Sequence, residues 1–198
     1  YPNQTDNYRQ DHWQYSIKHR RPSGWSIHNT FFYTRGYGYY EEYAVGQALA
    51  DYGLPPVRVG GDSLTLLATH SDLIRQRWLD NHFVGQILQA QYRGWTLGAQ
   101  VQRYTGWHFG RVQWTRVGAL SLPEHEYYRN RAVKSEVSAF AKKQSPLSRD
   151  GRLQWYGDLQ LRGIHYQLIG EGGDGQPRPI EKYFNFLNPK TGLYFQAN

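Results

Sequence analysis

The amino-acid sequence predicts an all-β protein, a section of an antiparallel, up-and-down β-barrel of the transmembrane kind. Apolar and polar side chains alternate along most of the chain, short and long connections alternate between these segments, and aromatic residues occupy 16% of the 198 positions. The mean hydropathy of −0.78 is low for a membrane protein. Barrel strands account for this value, because only every second side chain of such a strand faces lipid.

Two segments carry the clearest alternation. In 95–102 the apolar positions are Trp95, Leu97, Ala99 and Val101, and between them stand Thr96, Gly98, Gln100 and Gln102. In 152–162 the first set is Leu153, Trp155, Gly157, Leu159 and Leu161, and the second is Arg152, Gln154, Tyr156, Asp158, Gln160 and Arg162. A period of two residues places the two sets on opposite faces of a sheet.

Weaker alternation predicts the remaining strands. Their apolar faces are Trp13, Tyr15 and Ile17; Trp25, Ile27, Phe31 and Tyr33; Val84, Leu88, Ala90 and Tyr92; and Val133, Val137, Ala139 and Ala141. Gln86 interrupts the third set. Two further strands, around 181–187 and 193–198, bring the predicted number to about eight.

The connections are expected to sort by length. Short turns are predicted at 20–24, 93–94, 144–151 and 188–192, closed by Gly24, Gly94, Gly151 and Gly192. Long connections are predicted at 44–72, 104–130 and 170–181. A membrane barrel has tight turns at its periplasmic rim and longer loops at the other rim. The alternation of short and long connections therefore predicts the orientation of the barrel.

Aromatic residues are placed where a barrel would carry its two girdles. Trp25, Trp95 and Trp155 follow predicted short turns, and Tyr92 precedes one. Tyr37, Tyr39, Tyr40 and Tyr43 stand at the far end of the second strand. Tyr and Trp favour such interfaces between lipid and water.

Charge and composition narrow the possible partners. The net charge of +7 comes from scattered rather than clustered Lys and Arg, which does not favour nucleic acid and is compatible with acidic lipid headgroups. The chain has no Cys, so disulfides and thiolate-bound metals are excluded from it. The sequence has no Met and ends inside a predicted strand, and we therefore interpret it as an internal fragment.

A series of motifs resembles the barrel domain of the TonB-dependent receptors. In order they are YTRGYGYYEEY at 33–43, LADYGL at 49–54, RQRWLDN at 75–81 with Phe83 and Gly85, GWHFGRVQW at 106–114, HEYYRN at 125–130, GDLQLRGIHY at 157–166 and FNFLNPKTG at 184–192. The resemblance covers nearly the whole chain from about residue 10.

This resemblance implies a multi-pass barrel in the Gram-negative outer membrane. The family takes up scarce nutrients, such as ferric siderophores or cobalamin, with energy relayed by the TonB complex. Its barrels have about 22 strands around a plug domain, so residues 1–198 would be a partial barrel domain of roughly one third. The plug and the TonB-contacting segment would lie outside the chain, which would not transport alone. An isolated piece should form an open, curved sheet.

No residue is assigned a catalytic, cofactor, metal or ligand-binding role from the sequence. Arg77, Arg103, Asp158 and Arg162 are expected to face the lumen or a rim, where ordinary lumen polarity also explains them. His108 and the run 123–126 (Pro-Glu-His-Glu) lack the spacing of a metal site. The glycines at 36, 38 and 170–175 lack the strand-turn-helix setting and the Lys of a phosphate loop.

Other interpretations of the sequence are weaker. Tyr37–Tyr43 could stack on a planar or sugar-like ligand, and the pair Glu41–Glu42 matches the family motif without indicating catalysis. A secreted β-sandwich that binds carbohydrate through Tyr and Trp would also show alternation. An outer-membrane barrel enzyme would share the fold, although no GxSxG motif is present and we expect no enzyme.

Overall fold

The computed structural model describes residues 4–61, 64–118, 125–170 and 179–197. Its elements are β1 (Thr5–Arg20), β2 (Ser26–Ala48), a 3₁₀ turn (Leu49–Tyr52), β3 (Val57–Gly61), β4 (Leu64–Ala68), β5 (His70–Tyr92), β6 (Trp95–Thr115), β7 (His125–Pro146), β8 (Leu153–Ile169) and β9 (Ile180–Phe195). The described residues contain no helix long and apolar enough to cross a membrane.

Among the described residues, seven strands form one antiparallel sheet in the order β1-β2-β5-β6-β7-β8-β9, and β3 and β4 form a separate hairpin. Each strand of the large sheet pairs with the strand before and after it along this order. The sheet does not close, because in the described structure β1 and β9 are its edges. The prediction of an all-β, antiparallel, open sheet is therefore confirmed.

The predicted turn at 188–192 is wrong, and the described residues form seven long strands in the large sheet in place of the predicted eight. Residues 188–192 lie inside β9, where Gly192 is the cross-strand partner of Tyr156 and Pro189 that of Leu159. The Trp155 indole donates to Thr191 Oγ1 at 2.8 Å, which in turn donates to the Tyr156 carbonyl at 3.0 Å. Proline is tolerated here because edge strands can lack a ladder hydrogen bond.

The long connections are shorter than predicted, because strands β2, β5, β6 and β7 extend into them. The connections run over 49–69, 116–124 and 170–179, and all three leave the same end of the sheet. The other end carries the short turns at 21–25, 93–94 and 147–152. Arg93 and Gly94 have φ angles of 44° and 77°, as a two-residue hairpin turn of type I′ requires.

The register assigns the strand residues to two faces. We call the side that carries Leu97, with its cross-strand partners Ala90 and Ala141, the apolar face. The side that carries Gln100, with its partners Ile87 and Ser138, is the polar face. These faces agree with the alternation predicted for 95–102 and 152–162.

Large apolar side chains on the apolar face form a continuous belt near the short turns, which we call the apolar band. Its members are Trp13, Tyr15, Ile17, Ile27, Phe31, Tyr33, Val84, Leu88, Leu97, Val101, Val137, Leu159, Leu161 and Leu187. Asn29 and Gln86 are polar residues that interrupt the apolar band, and they bond to each other: Gln86 Nε2 donates to Asn29 Oδ1 at 3.0 Å. Trp25 stacks on Tyr92 at the short-turn end, with ring centroids 4.4 Å apart.

In the half of the sheet that carries the apolar band, burial is inverted: large apolar side chains are exposed, and polar side chains of the opposite face are buried. In β6, Leu97 and Val101 are 47% and 48% exposed, whereas Gln100 and Gln102 are half-buried. On the polar face Thr30, Thr34, Asn81, Glu136 and Ser138 are all less than one-tenth exposed. Rings lie across glycines of neighbouring strands on this face, as Phe32 does over Gly85 and Phe140 over Gly98. A Cβ at either glycine would collide with the ring.

A hydrophobic cluster is located at the long-connection end of the sheet. Ala44, Leu73 and Val112 come from β2, β5 and β6, and Tyr52 comes from the 3₁₀ turn that folds back over them. Leu54 and Tyr127 pack at its margin. The connection 49–69 is therefore attached to the sheet through its first turn.

Candidate functional site

The polar face carries an ion-pair network between β7 and β8, centred on the buried carboxylate of Glu136. Arg162 contacts both carboxylate oxygens of Glu136, with Nε to Oε1 at 2.7 Å and Nη2 donating to Oε2 at 2.8 Å. Lys134 lies 3.5 Å from the same carboxylate, whose side chain is 7% exposed. A carboxylate this buried requires such pairing. The two cations leave the network with spare donors on the polar face.

Beside this network, on the polar face, is a cavity of about 380 Å³ that we call the central cavity. Its lining includes Tyr8, Gln10, Leu79, Asn81, Phe83, Gln102, Tyr104, Lys134 and Glu136. Asn81 Nδ2 donates to the Tyr8 hydroxyl at 3.2 Å, and this pair lies over Gly36, where a Cβ would collide with both side chains. The volume is in the range of sites for small molecules, and the lining offers hydrogen-bond donors and acceptors.

A second polar cluster, the mouth cluster, lies at the long-connection end of the polar face. Arg75 Nε donates to Glu42 Oε1 at 2.6 Å, and its Nη1 donates to the Tyr52 hydroxyl. Arg77 Nη1 donates to the Tyr40 hydroxyl at 2.8 Å, and its Nη2 lies 3.9 Å from Glu42. Two guanidinium groups therefore share one carboxylate, which leaves the cluster cationic and rich in hydroxyl groups.

The 3₁₀ turn positions Tyr52 within this cluster. The turn ends at Gly53, which has a φ of 65° and whose N–H bonds to the Ala50 carbonyl at 3.0 Å. The Tyr52 ring packs 4.6 Å from that of Tyr127, and its hydroxyl donates to Gln47 at 3.0 Å. The Tyr52 carbonyl accepts from His125 Nε2 at 2.7 Å, so β7 also holds the turn.

Asp72 anchors the bulge of β2 at the same end of the sheet. Its carboxylate accepts the Tyr43 hydroxyl at 2.6 Å and the Gly46 N–H at 2.8 Å, and Arg116 lies 2.8 Å away. The Tyr43 hydrogen bond, and then that of Gly46, lower the pKa of Asp72 below its usual value. Gly46 has a φ of 61° and lies where the register of β2 shifts against β5.

Three of the four charged residues singled out from the sequence lie on the polar face. Arg77 belongs to the mouth cluster, Arg162 to the Glu136 network, and Asp158 is the cross-strand partner of Lys142 and Lys190. Arg103 is on the apolar face, between its partners Val84 and Ser135. It therefore does not line the polar face with the others.

The tyrosines and acids at the end of β2 divide between the two faces. Tyr40 and Glu42 face the mouth cluster. Tyr37 and Tyr39 face the other side and pack on Trp78, with ring centroids 5.2 and 4.5 Å away. Glu41 accepts from Gln76 Nε2 at 2.7 Å. The stacking surface predicted for Tyr37–Tyr43 is therefore not one surface.

The histidines do not gather around a common point. His108 is exposed on the polar face of β6, and His125 contacts the 3₁₀ turn. Glu126 forms two hydrogen bonds of 2.6 Å with Arg129, whereas residues 123 and 124 lie outside the described ranges. No group of three potential metal ligands exists among the described residues.

The glycines considered for a phosphate loop are separate from this. Gly36 and Gly38 are in β2, and of 170–175 only Gly170 is described.

Tyr52, Arg75 and Tyr127, which organise the mouth cluster, lie in three of the motifs quoted above, but the sequence indicated no site role for any of them. One signal was present, since Gly53 after a short helical run indicates a turn with a left-handed end. The pairing of Arg75 with Glu42 depends on the register of β2 and β5, which alternation alone does not give.

The fold and its two polar clusters define a class of structure, an open meander sheet with one apolar and one polar face. Comparison with known proteins adds no narrower identity. No protein-family model matches the chain. No curated protein matches it either.

Proposed function

We propose that this chain is a section of the wall of an outer-membrane β-barrel receptor and transporter, TonB-dependent in type. The inverted burial of the sheet carries the proposal: the apolar band is exposed, and polar side chains are buried on the other face. Exposed apolar surface this extensive is unfavourable in water and favourable in lipid.

The lengths of the strands support a membrane barrel with one protruding end. A tilted strand crosses a bilayer in about 9–11 residues. β2 and β5 have 23 residues each, and β6 has 21. The apolar band occupies only the half near the short turns, so under the proposal the other half projects from the membrane with the long connections.

The polar face would then line the lumen. The central cavity and the mouth cluster lie along it, one behind the other, from the middle of the sheet to the long-connection end. They provide donors, acceptors and cationic groups along a route for a polar ligand. The motif resemblance suggests a scarce nutrient such as a ferric siderophore or cobalamin as that ligand.

The two edges of the sheet support the need for further strands. β1 and β9 each have one unpaired side in the described structure. A bilayer offers no water to satisfy unpaired N–H and C=O groups, so spanning sheets close into barrels. We therefore propose that additional strands and a plug domain complete the transporter, and that the present segment alone does not transport.

Fractionation of cells that produce the complete protein tests the location. We expect the protein in the outer membrane, and resistant to extraction by high salt or alkaline carbonate. Recovery in the soluble periplasm or the medium would contradict the membrane proposal.

Energised uptake tests the transport class. Cells that depend on the complete protein for a radiolabelled ferric siderophore or cobalamin should accumulate it only with an intact TonB gene. Accumulation that is equal in a TonB deletion strain would contradict a TonB-dependent transporter and favour a passive pore.

The secreted carbohydrate-binding sandwich is the less favoured candidate. A sandwich buries the apolar faces of two sheets against each other. In the described part of the chain the second sheet is only the short hairpin β3–β4, which does not cover the apolar band. Recovery of the complete protein in the soluble fraction of the cell fractionation would favour this candidate.

A further inference from the structure

The apolar face has a shallow groove in the middle of the sheet. Phe31, Val84, Val101 and Val137 line it, with a volume of about 390 Å³. These four side chains come from four neighbouring strands, β2, β5, β6 and β7, and each is more than two-fifths exposed. The groove therefore opens to the side on which the proposed function puts lipid tails.

Arg103 stands at the end of this groove that points away from the short turns. It lines the groove, two residues beyond Val101 on the same face of β6. Arg103 is exposed and forms no ion pair with any carboxylate of the described residues. A guanidinium group at the edge of an apolar surface is favourable when an anion accompanies it.

Arg131 extends this cationic site along β7. It lies four residues before Ser135, the cross-strand partner of Arg103, which is about 13 Å along the strand at about 3.3 Å per residue. Its guanidinium lies 5.2 Å from the ring centroid of Trp107, and its Nε is buried without a hydrogen-bond partner. Neighbouring Arg129, in contrast, is already bound to Glu126.

We infer that the groove and Arg103 form a binding site for an anionic lipid of the outer leaflet that carries two phosphate groups. One acyl chain lies in the groove, a phosphate group accepts hydrogen bonds from Arg103, and a second phosphate reaches Arg131. Arginine suits this role because its planar fork matches phosphate oxygens. The inference rests on the proposed function, since it requires the apolar band to face lipid.

Lipid retention by the purified complete protein tests the site. Diphosphoryl lipid A is added to the protein in detergent, and bound lipid is counted by native mass spectrometry. We expect Arg103→Gln to reduce retention about tenfold, as the loss of a charge-assisted contact predicts, and the double variant with Arg131→Gln to reduce it further. Arg149→Gln, in the short turn between β7 and β8, removes the same charge and should leave retention unchanged.

Two further arms separate a lipid site from a simple anion site. Val137→Trp fills the groove without a change of charge, and we expect it to lower retention, with a folded fraction equal to that of the parent. Inorganic phosphate at the same concentration should not displace the lipid. Complete displacement by phosphate would overturn the assignment of a lipid as the ligand. Retention of zwitterionic phosphatidylcholine equal to that of lipid A would overturn it as well.

The result that overturns the site is distinguishable from failure of the proposed function. Equal retention by the Arg103→Gln and Arg149→Gln variants of a protein that fractionates with the outer membrane would overturn the site alone. Recovery of the complete protein in a soluble fraction would overturn both.

Discussion

Leu97 and Gln100 lie three residues apart on β6 and face opposite sides of the sheet. Leu97 is exposed between Ala90 and Ala141, whereas Gln100 is half-buried and donates to Gln102 at 2.7 Å. Under the proposed function the exposed leucine contacts lipid and the amides face the lumen. Substitutions at single residues can therefore test which face of the sheet contacts lipid and which faces the lumen.

A charge should be tolerated on one face and not on the other. Leu97→Arg and Leu159→Arg in the complete protein should lower barrel stability by about 2–4 kcal/mol, the cost of a cation that faces lipid near mid-depth. Gln100→Arg and Gln160→Arg on the polar face are the matched controls. Urea unfolding in lipid vesicles gives the comparison, and equal losses on both faces would contradict the assignment of the apolar face to lipid.

The Asp72 carboxylate should make the anchor of the β2 bulge sensitive to acid. Because the pKa of Asp72 is lowered in the folded chain, its contribution is complete above the usual value of 3.8 and is lost as the pH falls through the lower folded value. Exchange of the Gly46 amide, corrected for its intrinsic pH dependence, should accelerate below about pH 4. Asp72→Asn should remove this dependence and Asp51→Asn should not; a persistent dependence in Asp72→Asn would assign it to another group.

The 3₁₀ turn is the element that connects the longest described connection to the sheet. Tyr52 contributes a ring to the hydrophobic cluster and a hydroxyl to Arg75 and Gln47. Its packing and its hydrogen bonds can be separated, since phenylalanine keeps the ring alone.

Loss of the Tyr52 ring should release the connection 49–69. Tyr52→Ala removes a buried aromatic side chain, a change that costs about 3–5 kcal/mol in well-packed cores, whereas Tyr52→Phe removes hydrogen bonds worth about 1 kcal/mol each. Limited proteolysis of the complete protein should therefore cleave 49–69 much faster in Tyr52→Ala than in Tyr52→Phe. Equal cleavage rates would show that the hydroxyl, and not the ring, holds the turn.

Sequence alternation predicted the apolar and polar sides of the strands well, because successive side chains of a strand point to opposite faces of the sheet. It failed where local signals compete with pairing. The Asn-Pro and Thr-Gly pairs in 188–192 are turn signals, yet pairing with β8 keeps this segment extended. The mouth cluster was missed because Arg75 and Glu42 meet across strands that are separated by the connection 49–69.

At the scale of the whole molecule, all described short turns lie at one end of the sheet and all long connections at the other. Under the proposed function, these ends are on opposite sides of the outer membrane. The chain has no Cys, which makes single cysteine substitutions suitable reporters of this topology.

A membrane-impermeant maleimide should distinguish the two ends in intact cells. Arg58→Cys is in the exposed hairpin of the connection 49–69, and Arg149→Cys is in a short turn. In a complete protein without other cysteines, we expect labelling of Cys at 58 in intact cells and at 149 only after the outer membrane is permeabilised. The reverse pattern would invert the orientation, and equal labelling of both in intact cells would contradict a spanning sheet.

The order of the strands also predicts the order in which the strand pairs form during folding. Strands joined by the turns at 21–25, 93–94 and 147–152 can pair as soon as both exist, because little chain entropy is lost when a short loop closes. β2 and β5 meet only after the chain has bridged 49–69, so their ladder should form later than the hairpins on either side of it. The seam between β2 and β5 is therefore the expected kinetic bottleneck, and early closure of the 3₁₀ turn would shorten the bridge that limits it.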